Sequence, residues 1–285
     1  MSPVLPLVLG GASSVWASRW LVRHAGIPGG AKRWARVNHR GHQVTLTEGV
    51  ALVVGSAASL ALVDPVGALT ALGSGLTGAV DDLHPDAARK GLAGHLAALV
   101  RGDVSIGALK VLSLTGCGLL AAAADQRAAG RRAPRIGPSQ HGRGRAVGDA
   151  VVRAGVVAGS ANLANLLDLR PGRALKVTLL VGIPLSAVGA AQGRGTEPAA
   201  VAVGAALMLL PMDLRAEGML GDTGANAVGA LLGLATTRAV RPPVRAAVLA
   251  GLVGLTLASE RVSFTRVIES TPVLSELDAW GRRGR

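Results

Sequence analysis

The chain has 285 residues, of which 49% are hydrophobic and only 16% charged, and it carries a formal net charge of +13. That balance excludes an ordinary soluble domain. The lone cysteine, Cys117, excludes an intrachain disulfide and a cysteine-ligated metal. The basic residues are scattered among loops, with no basic helix interleaved with aromatics. The charge therefore suits anionic lipid headgroups or phosphorylated substrates, not nucleic acid.

Apolar runs recur at lengths that suit membrane-spanning helices. They predict spans over 3–22, 46–63, 65–81, 104–124, 147–166, 174–191, 199–213, 223–240 and 244–259. The first begins almost at Met1 without a basic n-region, which marks a retained helix and not a signal peptide. Alanine and glycine dilute most of the runs, as expected of helices whose backbones approach closely. The fold class is thus an all-α polytopic membrane protein of about nine transmembrane helices. An aromatic belt can come only from Trp16, Trp20, Trp34 and Trp280, since tyrosine is absent and Phe264 is the one phenylalanine.

Alternating these spans puts loops 23–45, 82–103, 167–173 and 214–222 and the tail on one face. Loops 125–146, 192–198 and 241–243 fall on the other. Arg23, Lys32, Arg33, Arg36 and Arg40 in the first loop make the first face cytoplasmic, with the N-terminus outside and the C-terminus cytoplasmic. Loop 125–146 opposes this assignment with Arg127, Arg131, Arg132, Arg135, Arg143 and Arg145. The chain divides into a helical membrane domain, 1–259, and a tail, 260–285. In the tail, Leu274, Leu277 and Trp280 predict an amphipathic helix on the membrane surface.

Three polar clusters interrupt this apolar chain, all on the predicted cytoplasmic face. The first is Asp81-Asp82 at the end of the third span, followed by Arg89 and Lys90. Carboxylates at a membrane boundary are costly, so a metal, a phosphate or a proton is the expected counterpart, with Lys90 and Arg89 offered to a phosphate. The plainer account is helix-end acids with an Asp86–Lys90 surface pair. The second cluster spaces Asn162, Asn165 and Asp168 by three, one helical face able to read a sugar or base. Membrane asparagines also serve simply to bond neighbouring helices. Arg170 and Arg173 beside it offer a diphosphate clamp. The third, Gly221-Asp222-Thr223-Gly224, sets a carboxylate at a helix start, where it is either a cap or a ligand of Mg²⁺. The six histidines have no zinc-binding spacing.

Taken in order, Asn38–Gly49, Gly78-Ala79-Val80-Asp81-Asp82 with Lys90-Gly91-Leu92, Asn162-x-x-Asn165-x-x-Asp168 and Gly221-Asp222-Thr223-Gly224 resemble the motifs of one family. It is the polyprenyl-phosphate N-acetylhexosamine-1-phosphate transferases, glycosyltransferase family 4, which includes phospho-N-acetylmuramoyl-pentapeptide transferase. The resemblance implies a multi-pass protein of the bacterial plasma membrane in cell-wall or surface-polymer biosynthesis. It implies transfer of a sugar-1-phosphate from a UDP-sugar to polyprenyl phosphate, with Mg²⁺ or Mn²⁺ as cofactor. Asp81, Asp82 and Asp222 would be catalytic, and Asp222 with Asp82 would hold the metal. Asp81 would orient or deprotonate the lipid phosphate, and Lys90 and Arg89 would bind it. Asn162, Asn165 and Asp168, with Arg170 and Arg173, would bind the nucleotide-sugar. Expected partners are the bilayer, a second copy of the chain or wall-assembly proteins. Two departures favour the alternative, a non-catalytic relative that binds a lipid carrier. Leu169-Arg170-Pro171 stands where the family carries glycine, and no histidine follows His141.

Overall fold

The structure is a computed structural model, describing residues 2–24, 30–37, 41, 43–84, 101, 106–132, 143–193 and 195–282. Arg89 and Lys90 lie outside the described residues.

Each apolar run is a helix. In chain order they are α1 Val4–His24, α2 Thr47–Val63, α3 Pro65–Leu83, α4 Ile106–Arg132, α5 Arg143–Leu167, α6 Arg173–Ala191, α7 Glu197–Leu214, α8 Gly221–Ala239 and α9 Pro242–Ser259. Two short helices close the chain, α10 Phe264–Ser270 and α11 Pro272–Ala279. Among the described residues, five helices are long and apolar enough to cross a membrane: α4, α5, α6, α7 and α9. The loop expected over 125–146 is partly helical, because α4 runs on to Arg132 and α5 begins at Arg143.

Local chemistry sets several boundaries. Asp64 alone separates α2 from α3, and Pro65 opens α3, where its fixed φ and missing N–H cost nothing. Gly172 takes a left-handed φ of 77°, turning the chain from α5 into α6. Ser263 caps α10 by accepting the Arg266 N–H.

Helix α8 is the hub, in contact with α2, α3, α5, α6 and α7, while α1 packs on α2 and α7. Small residues make this possible, as composition predicts. A side chain at Gly229 or Gly233 would meet the α5 backbone, and one at Gly204 would meet α1. The principal core joins Leu52, Leu60, Leu175, Val201, Leu209, Val228 and Leu231. By contrast only 11% of α9 is buried, against 61% of α7, so α9 presents an apolar outer face, the composition of a lipid-facing helix.

The aromatic belt is smaller than the sequence suggests. Trp16 and Trp20 stack on the outside of α1 and Trp280 is exposed, but Trp34 is 3% exposed and packs with Leu21, Leu46 and Ala51.

A chain of ion pairs closes the end of the bundle away from the polar clusters. Arg238 bridges Asp64 (2.5 Å) and Asp125 (2.8 Å), Arg153 reaches Asp125 (3.8 Å) and Asp149 (2.7 Å), and Arg245 reaches Asp149 (2.5 Å). Asp64, Asp125, Arg153, Arg238 and Arg245 are among the residues lining a cavity of about 790 Å³, and their charges are directed at one another. Tying α2–α3, α4, α5, α8 and α9 together is the function their geometry supports.

Candidate functional site

The three sequence clusters meet at the other end. Helix α8 starts there with no capping side chain of its own. Asp82, at the end of α3, supplies the cap from a neighbouring helix. It accepts the N–H of Asp222 (3.1 Å), the N–H of Thr223 (2.8 Å) and the Thr223 hydroxyl (2.6 Å). A carboxylate at a helix N-terminus satisfies orphan donors and complements the dipole. The close approach depends on Gly78, where a Cβ would collide with the Asp222 carbonyl. Gly221 adopts φ 60°, and a Cβ there would lie 3.0 Å from both Asp82 oxygens.

Beside this cap, Lys110 on α4 sits between Asp81 (2.8 Å) and Asp222, to which it donates a hydrogen bond. The ammonium bridges two carboxylates that would otherwise repel across the α3–α8 contact, offsetting one of their two charges. Its side chain is 15% exposed, so solvent screens this interaction weakly.

Two cavities flank this Asp81–Lys110–Asp222 group. One, of about 440 Å³, runs between α4, α5 and α9 and is lined by Asp81, Lys110, Val111, Leu114, Leu252 and Val253 among others. It is apolar apart from its end. The other, of about 410 Å³, is the more polar of the two and includes Asp82, Asn165, Asp168, Asp213 and Asp222, with Arg36 and Arg170 as its cations.

Antiparallel strands β1 Ala35–Val37 and β2 Gln43–Thr45 pair Arg36 with Val44 and carry Arg36 to the polar cavity. The ribbon is pinned at both sides. Leu46 N–H donates to the Trp34 carbonyl, and Met219 N–H donates to the Thr45 carbonyl. Arg36 Nη1 donates to the Arg33 and Ala35 carbonyls, while its buried Nη2 has no partner among the described residues.

The predicted nucleotide residues divide between the cavities. Asn165 approaches Asn226 of α8 (3.5 Å) and lines the polar cavity. Asn162 donates to Thr256 of α9 (3.1 Å) and lines the apolar one. Asp168, in the turn after α5, has one buried oxygen without a partner among the described residues. Burial, with Asp213 and Asp222 close by, holds its carboxyl well above the usual carboxylate range.

The two arginines of the predicted clamp also part company. Arg170 lines the polar cavity and meets Glu269 (2.9 Å) in a pair exposed enough to contribute little. Arg173 is 3% exposed and locked onto Asp278 of α11 (2.8 Å), so it holds the tail and is not open to a diphosphate.

Among the described residues, no three carboxylates or histidines converge closely enough to hold a metal ion. Asp82 spends three of about four acceptor positions on α8, which leaves it poorly suited to the metal role expected of it. Asp222, partly exposed, and the unpartnered Asp168 oxygen are the better donors. Their chemistry fits Mg²⁺ or Mn²⁺ as a two-carboxylate site, since Mg²⁺ keeps water and substrate phosphates as further ligands.

Lys110, Arg36 and Asp213 are the residues that sequence reasoning missed. Lys110 had a signal: an ammonium inside an apolar run is expensive and functional by default. Arg36 had none beyond its share of the first-loop charge. No protein-family model and no curated protein matches the chain.

Proposed function

We propose that the chain transfers a sugar-1-phosphate from a UDP-N-acetylhexosamine-type donor to polyprenyl phosphate, releasing UMP, at the cytoplasmic face of a bacterial plasma membrane. The observation that carries this reading is the pair of cavities sharing one charged group. An apolar cavity ending at Asp81 and Lys110 suits a lipid phosphate, and a polar cavity bearing Asp168, Asp222, Arg36 and Arg170 suits a nucleotide diphosphate. In this reading all nine long helices cross the bilayer, with the N-terminus outside and the tail on the cytoplasmic surface. The four motifs resembling the transferase family support the same assignment.

In the reaction, an oxygen of the lipid phosphate attacks the β-phosphorus of the UDP-sugar. The bond from that phosphorus to the bridging oxygen breaks, and UMP leaves with the electron pair. Lys110 holds the lipid phosphate beside Asp81, which orients it or takes its proton. Arg36 and Arg170 receive the diphosphate, and Asn165 contacts the nucleotide. Asp82 keeps Asp222 in position by capping α8. Mg²⁺ or Mn²⁺ held by Asp222 and Asp168 would neutralise charge on the diphosphate.

The second reading, a non-catalytic lipid-carrier-binding protein, draws on the engagement of Lys110 by two carboxylates and of Arg173 by the tail. Purified protein incubated with polyprenyl phosphate, Mg²⁺ and a panel of UDP-sugars separates the two. UMP release that disappears in Asp222→Asn is the expected result. Saturable polyprenyl-phosphate binding without UMP release from any donor would sink the transferase reading and leave the second.

A further inference from the structure

The tail does more than follow the last long helix. Asp278 is 8% exposed, and its two oxygens accept Nε and Nη2 of Arg173 at 2.8 Å each. Arg282 adds a contact to Asp278 (2.8 Å) and donates Nε to the Pro171 carbonyl (2.8 Å). Lys176 donates to the carbonyls of Leu277 (3.1 Å) and Asp278 (2.7 Å), and Arg173 Nη1 reaches the Thr265 hydroxyl (2.9 Å). Contacts from α10, α11 and Arg282 therefore converge on the turn 168–173 and the start of α6.

The inner side of that turn belongs to the polar cavity. It begins at Asp168, and Gly172 N–H donates to the Asp213 carboxylate (3.0 Å). At Gly172 a Cβ would lie 2.5 Å from Leu214 Cδ2, so α7 packs closely on the inner side of the turn while the tail holds its other side. A bidentate arginine–carboxylate pair fixes orientation as well as distance. Because this pair is buried, removing one partner strands the other.

We infer that segment 264–282 is a strap that holds the acidic cavity in shape, with Asp278 as a positioning residue acting through Arg173 on the turn carrying Asp168. The kinetic consequence rests on the transferase reading; the structural one does not. Hydrogen exchange and UMP release are measured on full-length protein in nanodiscs for the wild type, Asp278→Asn and Asp278→Glu. Asp278→Asn is expected to speed exchange of the amides in 168–173. It is also expected to raise KM for the UDP-sugar about tenfold, as lost outer-shell partners do, while leaving KM for polyprenyl phosphate unchanged. Asp278→Glu should restore part of both effects.

Thr265→Val removes only the Nη1 contact and should shift the same amides less, which keeps the test open if Asp278→Asn cannot be recovered. Faster exchange at 168–173 in a chain whose wild type releases no UMP would uphold the strap and defeat the transferase reading. Unchanged exchange there in both Asp278→Asn and Thr265→Val overturns the strap. A uniform acceleration across all helices with both KM values altered alike overturns it too, since that would be general loss of stability.

Discussion

At the scale of single residues, the adjacent aspartates do different work because successive helical positions point about 100° apart. Asp81 turns to Lys110 of α4, and Asp82 turns to the backbone of α8. Substitutions should separate these roles. Asp82→Asn keeps the shape but loses charge at the N-terminus of α8, and should cost about 1–2 kcal/mol of stability, read as a lower Tm in detergent. Lys110→Met leaves Asp81 and Asp222 facing each other without a cation. Under the proposed function it should lower UMP release at least ~10²-fold, with a rise in KM for polyprenyl phosphate. Equal thermal and kinetic effects from both variants would mean that the division between capping and charge pairing is wrong.

At the scale of elements, the tail behaves as part of the site's frame. Burial alone would raise the Asp278 carboxyl, but the hydrogen bonds from Arg173 and Arg282 outweigh it and hold it below its usual value. A carboxyl depressed in the folded state contributes stability that is fully present above its unfolded pKa. That contribution is lost as pH falls through the folded value. The strap should therefore stay closed at neutral pH and loosen only on strong acidification. Trp280 fluorescence in nanodiscs, followed from pH 7 downward, should be flat until below about pH 4 and then change. In Asp278→Asn that acid transition should vanish. A transition centred near pH 6 would point to a group other than Asp278.

For the whole molecule, the two ends of the bundle are built differently. The far end neutralises its charges in a chain from Arg238 to Arg245, whereas the site end leaves Arg36 Nη2 and an Asp168 oxygen without partners among the described residues. Buried polar groups are nearly always hydrogen-bonded, so charged ones left open beside a cavity are natural points for a ligand to meet. The alternating helices put the two ends on opposite sides of any membrane they cross. Cysteines introduced at Ser139 and at Ser275, in a chain lacking Cys117, should accordingly be labelled from opposite faces. Labelling of both from one face would contradict nine crossings.

The sequence by itself determined the helices, because an apolar run beside polar loops leaves the backbone few other ways to satisfy its hydrogen bonds in lipid. It also determined that Asp81, Asp82, Asn165, Asp168 and Asp222 gather at one end, since alternation along the chain carries each to the same face. Tertiary structure alone decided which of them meet. The Lys110 ammonium reaches Asp81 on the preceding helix and Asp222 on a helix distant in sequence, and Arg36 arrives on a ribbon too short to show a period. The fate of Arg173 depended on Asp278, 105 residues further along. Periodicity reports the face a residue occupies within its own element, but the partner waiting there is set by packing between elements, which no local pattern records.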